Sequence, residues 1–372
     1  MSSNSTNQYI PESVSLPGET LAEVLSTQGL SQAEFADRTG RPKKTINEII
    51  KGKAAITPET ALQFERVLGI EAAFWNNLEG NFREYIARRE EEERLLAGRD
   101  LLADIPVATL MKRGWIKPQS TKVGRIREVL DYFGIASPEQ WGPVFATPQA
   151  SFRLSTKSTC KAGALAAWLR KGELEARRIE TAVANEGKFR ACLGELRSLT
   201  IQEPAEAMKQ AVARCAEAGV AVAFVAHLPG CPVHGATRWL SPTKALIQLS
   251  FRYRTEDHLW FTFFHEAAHL LLHGKRDVFI DESGADGQKL EDEADKFASE
   301  FLLKSTSLEP LRSAGMKKRI SKAQVIDLAQ REGISPGIVV GRLQHMGWLP
   351  PSHLNNLRRP VVESALLESL AA

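Results

Sequence analysis

The run His265-Glu266-Ala267-Ala268-His269 constrains this chain more than any other five residues. Two imidazoles four positions apart fall on one face of an α-helix, close enough to hold a single metal ion. Glu266, beside the first of them, is placed to take a proton from a metal-activated water. A fold built around this run must supply a helix over it, a second element with the remaining ligand, and a cleft between the two. Only eight histidines occur in 372 residues, so a chance occurrence has odds of roughly one in a hundred or less.

The motif helix is expected over about 256–273. It turns Phe261, Phe264, Ala268, Leu271 and Leu272 toward a core and leaves Thr262, His265, His269 and His273 as a polar stripe. A catalytic zinc takes three protein ligands and keeps one position open. The third ligand is sought in Glu291-Asp292-Glu293-Ala294-Asp295-Lys296-Phe297-Ala298, where carboxylates begin an otherwise apolar helix of about 290–303. Glu293 shares a face with Phe297 by i, i+4 spacing and is the leading candidate. Glu291 and Asp295 are the alternatives, and Asp295 has the further option of orienting a ligand imidazole. His273 reads as a partly exposed histidine at a helix end, and Cys231-Pro232-Val233-His234 as a loop. His234 and Arg238 are the candidates for stabilising an oxyanion.

Composition removes several classes. Hydrophobic residues make up 43% of the chain, enough for ordinary cores, but the longest apolar runs, near 220–226 and 259–264, are far too short to span a bilayer. The polar start, Met1 to Gln8, reads as a flexible tail with no export signal. Cys160, Cys192, Cys215 and Cys231 lack paired spacing, so reduced thiols and a cytoplasmic setting are expected. Net charge is +3, so affinity for nucleic acid has to come from a local patch.

Such a patch lies near the N-terminus. Short amphipathic helices are expected over 19–27, 31–38, 43–51 and 58–69, with Ser31 and Thr57 as N-caps and Gly29, Gly40 and Gly52 at helix ends. Gln32 to Lys51 matches a helix-turn-helix: Ala36 is small at the helix crossing, Gly40 sits in the turn, and Ile46 and Ile49 are apolar core positions. Arg41, Lys43, Lys44, Lys51 and Lys53 against Glu48 give five positive charges and one negative within thirteen residues. Gln32 and Lys51 join the expected DNA-facing set. Lys43, Lys44, Thr45 and Asn47 open the second helix, where base edges are reached.

Downstream, helices are expected over 101–141, 160–185 and 189–218, then short strands near 220–226, 237–240 and 245–250. A second helix-turn-helix rhythm, 323–328 and 335–343, is less basic and reads as a packing element.

The block Phe261-Thr262-Phe263-Phe264-His265-Glu266-Ala267-Ala268-His269-Leu270-Leu271-Leu272-His273, followed by Glu293-Ala294-Asp295-Lys296-Phe297-Ala298, resembles the ImmA/IrrE family of metallopeptidases. The resemblance implies His265, His269 and Glu293 as zinc ligands and Glu266 as general base; position 295 is Asp where the family more often has Asn. It also implies a small three-stranded sheet packed on the active-site helices, with an edge strand near 245–250 able to hold an extended peptide. The segment 16–85 resembles the Xre-type domain of HigA-like antitoxins through Pro17-Gly18-Glu19-Thr20-Leu21, Leu30-Ser31-Gln32, Asn47-Glu48-Ile49-Ile50-Lys51-Gly52-Lys53 and Phe74-Trp75-Asn76-Asn77-Leu78. That likeness implies operator binding, usually as a homodimer on a palindrome.

The expected fold class is α+β and mostly helical, an all-α helix-turn-helix domain joined to a zincin-like domain. The expected organisation is a tail over 1–15, the DNA-binding domain over 16–81 and a helical connector over 82–150. The peptidase core follows over 151–310, then a helix-turn-helix-like element over 311–350 and a tail over 351–372. The expected function is a DNA-bound regulator carrying a zinc endopeptidase, with Mn2+ or Fe2+ as other candidate metals. Its expected partners are double-stranded operator DNA and an Xre-type repressor or other protein substrate, cut in trans or within the chain itself, for which 87–103 is a reachable target. The alternative is a HigA-like repressor or antitoxin whose metal domain senses or scaffolds without turnover.

Overall fold

The computed structural model describes residues 14–146, 153–154, 161–252, 254–273, 285–312 and 319–371. All but the last two residues of the expected N-terminal tail lie outside these ranges, as does Cys160. The chain forms two compact units, one through Ala97 and one from Gly98.

The first unit is all helix: α1 (Pro17–Thr27), α2 (Gln32–Thr39), α3 (Lys43–Ile50), α4 (Pro58–Leu68) and α5 (Ala72–Ala97). Ser31 and Thr57 accept from the backbone N–H of Glu34 and Thr60, the N-cap bonds expected of them. Gly40 and Gly69 end α2 and α4 in the left-handed conformation that glycine adopts without strain. Leu21, Phe35, Ile46, Ile49, Phe64 and Trp75 close the core, with the rings of Phe35 and Trp75 5.0 and 5.5 Å from that of Phe64. Each such side chain stabilises the unit by roughly 1.5–3 kcal/mol. Gly18 brings α1 directly against the backbone carbonyls of Ile49 and Ile50, a contact that any side chain would block. The boundary expected at 81–82 falls inside α5, which runs unbroken for 26 residues because no glycine or proline beyond Gly80 interrupts it.

In the second unit, α6 (Leu101–Asp104), α7 (Val107–Lys112), α8 (Lys122–Phe133) and a π-helical turn at Gly142–Ala146 precede β1 (Arg153–Leu154) and α9 (Ala162–Arg178). The helical stretch expected over 189–218 is two helices, α10 (Glu186–Leu199) and α11 (Pro204–Glu217), divided where Pro204 can only start a helix. Then come β2 (Val220–Phe224), β3 (Gly235–Ser241), β4 (Lys244–Leu249), α12 (Glu256–Leu272), α13 (Ala285–Leu302), α14 (Lys322–Glu332), α15 (Pro336–His345) and α16 (Glu363–Ala371).

The sheet has four strands in the order β1-β3-β4-β2, with β2 parallel to β4 and the other pairs antiparallel. The expected edge strand is therefore corrected: β4 is interior, flanked by β2 and β3, and both β3 and β4 pack against the motif helix. Alternation sorts the two faces. Ala221, Ala223 and Leu246 meet Ala176 of α9, while Val222, Phe224, Ala245, Ile247 and Leu249 face the main core. Gln248 points to the α9 side, where its Nε2 donates to the Trp168 carbonyl at 2.7 Å and its amide fills the space left by Gly172.

The main core joins α10, α11, the sheet and α12 to α13–α15, so the described residues of 311–350 pack as part of this unit. Ile338, Val339, Val340 and Leu343 of α15 are buried, which denies that helix the exposed face a DNA reader needs. The segment expected as a tail, 351–372, holds α12 in place. Arg358 pairs with Asp257 at 2.8 Å, Arg359 pairs with the fully buried Glu256, and Thr255 bridges Pro360. Two acidic residues opening α12 face its positive dipole end and two arginines at once. No described helix is long and apolar enough to cross a membrane.

Candidate metal centre

Nearly every position of α12 is covered. Leu259, Trp260, Phe263, Phe264 and Ala267 are in the core, and His265, Glu266 and His269 are buried with them. Leu272, expected inward, is exposed. The imidazoles of His265 and His269 turn their Nε2 atoms toward each other at 3.1 Å. Glu291 of α13 completes the group, with Oε2 3.2 Å from Nε2 of His265 and Oε1 3.4 Å from Nε2 of His269. Among the described residues these three side chains form the group able to hold a metal ion. A tetrahedral zinc with bonds of about 2.0–2.1 Å separates neighbouring donors by roughly 3.3 Å, the size of this triangle.

The structure thus brings Glu291 to the two histidines in place of the expected Glu293. Glu293 instead meets His273, Oε2 to Nε2 at 3.3 Å. Asp295, one turn after Glu291, accepts from Nδ1 of His265 at 2.8 Å, the orienting role weighed for it. His273 is also corrected: it is buried, and its Nδ1 lies 3.0 Å from Nδ1 of His269. With Nε2 of His269 given to a metal, its Nδ1–H donates to His273, whose Nε2–H donates to Glu293. Each ring then has one tautomer that satisfies every partner.

Charge follows geometry. Burial disfavours the imidazolium of His265, but hydrogen bonds to Asp295 and Glu291 outweigh it and raise its pKa to about 10. Burial likewise pushes Glu291 up, yet the bonds from His265 and His269 prevail and bring it to about 2.

Glu266 is different. It is fully buried, and neither carboxylate oxygen has a hydrogen-bond partner among the described residues. Burial raises its pKa against the pull of His265 and His269, the condition of a carboxylate tuned toward proton transfer. Space for it comes from β3. A methyl group at Gly235 would meet Oε1 of Glu266 at 2.6 Å, and Thr237 donates to the Glu266 carbonyl at 3.2 Å. The glycine at 235 drew no attention in the sequence, since its role depends on a side chain thirty-one residues away.

The oxyanion candidates separate. Arg238, one residue beyond Thr237, points to the opposite face of the sheet and pairs with Glu173 of α9 at 3.2 Å. His234 stays near the centre. Burial and the charges of Arg252, His258 and His265 lower its pKa to about 4, leaving it neutral beside Arg252 Nη1 at 3.2 Å. Cys192, Cys215 and Cys231 are buried.

In the first unit, Gln32, Lys43, Lys44 and Lys51 are exposed and Thr45 and Asn47 half-buried, while Ile46 and Ile49 face inward. Asn47 Nδ2 donates to Gln32 Oε1 at 3.5 Å, placing both side chains on one surface of α2 and α3. Lys44 has a loose partner in Glu48, at 3.8 Å. Arg41 is held by Gln63 at 2.7 Å.

Comparison with known proteins assigns both regions. The helix-turn-helix family matches residues 21–75, and the IrrE N-terminal-like domain family matches residues 235–344. Over 63 residues the chain is 35% identical to YddM of Escherichia coli K12, described as an uncharacterized HTH-type transcriptional regulator; the match spans 17% of this chain and 67% of that protein. A Nostoc punctiforme protein described as an antidote of a plasmid maintenance system is 30% identical, with 22% of this chain and 88% of its own covered and a TM-score of 0.21. An addiction module antidote protein of a HigA family from Coxiella burnetii is 27% identical, with 22% and 91% covered and a TM-score of 0.21.

Proposed function

Since the chain joins an Xre-type helix-turn-helix domain to a domain of the ImmA/IrrE peptidase family, we propose that it is a DNA-binding regulator whose second unit hydrolyses peptide bonds with zinc. The observation that carries this reading is the pairing of a three-donor triangle with the sealed carboxylate of Glu266 beside it. A structural metal site needs four closed ligands and no adjacent base; three donors and an unpaired carboxylate are the arrangement of a hydrolase.

His265, His269 and Glu291 hold the metal, and Asp295 and His273 fix the two imidazoles. Bound zinc supplies a Lewis acid that activates water and polarises the scissile carbonyl. Glu266 accepts the water proton on a carboxylate oxygen and returns it to the leaving amine nitrogen. Burial favours the protonated carboxylic acid it becomes in between. An extended substrate would pair with the outer edge of β3 in place of β1, whose Arg153 and Leu154 pair antiparallel there with Thr237 and Ala236. We take the substrate to be a separate Xre-type repressor. The segment 87–103 is helical through Ala97, and a strand-adding substrate has to be extended.

Incubating the zinc-loaded chain with Xre-type repressors encoded beside it, and reading cleavage by mass spectrometry, tests the proposal. Zinc and operator binding without cleavage of any partner or of the chain itself overturns it in favour of a non-hydrolytic sensor. Gly235→Ala is expected to lower turnover about 10²-fold with zinc content intact, because it displaces Glu266. Unchanged turnover removes Glu266 from the chemistry.

Operator contact is assigned to Gln32, Lys43, Lys44, Thr45, Asn47 and Lys51, presented by a homodimer. Lys43→Ala and Lys51→Ala are each expected to lower the salt dependence of DNA binding by about one ion. Asn47→Ala should cost about 1–3 kcal/mol at the base it reads. A mobility shift that survives loss of Lys43, Lys44 and Asn47 together rejects this surface.

A further inference from the structure

Between α12, α13 and α15 lies a cavity of about 290 Å3. Phe261, Leu302, Leu303 and Ile338 give it an apolar floor, and Asp295 and Arg342 stand in its wall. The stripes that carry the metal donors run into it. Phe261 precedes His265 by one turn of α12, and Asp295 follows Glu291 by one turn of α13. Asp295 belongs to both places, since the oxygen it offers His265 reaches Nδ1, the ring edge turned away from the donor Nε2. The cavity therefore reaches the Nδ1 side of the imidazole through Asp295.

The two guanidinium groups of the wall are unequally used. Arg358 is engaged through Nε and Nη2 with Asp257 and Thr255 at 2.8–3.0 Å. Arg342 reaches Glu300 and Ser305 at 3.3 and 3.4 Å through Nη2 alone; its Nε is sealed inside the wall, and its Nη1 has no partner among the described residues. A guanidinium with spare donors beside an apolar floor recognises a carboxylate on a compact hydrocarbon body.

We propose that this cavity binds a small apolar monocarboxylate, and that its occupancy weakens metal binding by drawing Asp295 away from His265. A second anion beside Asp295 repels it, and an imidazole that loses its carboxylate partner is a poorer ligand. Linkage makes the effect mutual, so zinc must weaken carboxylate binding by the same factor. The coupling rests on the metal site proposed above; the binding does not.

Calorimetric titration of the full chain with phenylacetate and with uncharged phenylacetamide provides the test. Metal-free protein is expected to bind phenylacetate with a Kd of about 1 mM or tighter and phenylacetamide at least about tenfold more weakly. Zinc loading should weaken phenylacetate binding about tenfold. Arg342→Met should abolish the preference for the acid, and Ser299→Phe, which fills the cavity without touching the arginine, should abolish binding of both probes. Unchanged melting temperatures establish that both variants fold. Absence of saturable binding by metal-free protein, or equal binding by Ser299→Phe, overturns the site whatever the fate of the peptidase reading. Phenylacetate affinity indifferent to zinc overturns the coupling.

Discussion

Glu291→Ala is expected to leave the purified chain without stoichiometric zinc, while Glu293→Ala retains it. Glu291 places one oxygen on each of the two imidazoles, at 3.2 and 3.4 Å, and completes the only donor triangle among the described residues. Losing one of three ligands should reduce affinity by more than the roughly 10–100-fold that removing an outer partner costs. Glu293 reaches the metal only through His273 and then His269, so its loss should cost no more than about tenfold. Metal content by mass spectrometry and chelator competition give both numbers. Zinc lost from Glu293→Ala and kept by Glu291→Ala would show that α13 turns in solution to present the other carboxylate.

The second large effect belongs to Glu266. Glu266→Gln should bind zinc normally and lose about 10²–10⁴-fold in peptide hydrolysis, because an amide of the same shape cannot accept the water proton. The same change should raise the melting temperature of the metal-free protein. A carboxylate sealed from solvent without a hydrogen-bond partner opposes folding, and its neutral replacement removes the charge that has to be desolvated. Gain of stability with loss of turnover is the signature of a residue kept for chemistry. A variant that loses activity and stability together would make Glu266 a structural residue.

Much of this was legible from residue order alone. The spacing of His265 and His269 needs only the helical repeat, and Ser31, Thr57, Gly40 and Gly69 set helix ends through bonds within a few residues. The basic run at the start of α3 is local in the same sense. The carboxylates of α13 were not resolvable in this way. Glu291 and Glu293 stand two residues apart and point to opposite sides of a helix, so the choice depends on its rotation against α12. Phe297 suggested one rotation. The packed face is set instead by Ala294 and Ala298, both fully buried, whose small side chains let α13 approach α12 closely, while Phe297 is only half-buried. That rotation turns Glu291 and Asp295 toward the imidazole of His265 and leaves Glu293 to meet His273.

What the sequence by itself determined is therefore what depends on short spacing: the motif helix, the helix-turn-helix with its basic surface, and β2, β3 and β4 as elements, while β1 appears only in the structure. The tertiary structure decided which acid meets the two histidines, that β4 is interior and β3 reaches Glu266, that Gly235 makes room for that carboxylate, and that Arg358 and Arg359 hold the N-terminus of α12. Those are facts about which surfaces meet, and they come from burying one helix against another, a free energy that no stretch of chain carries alone.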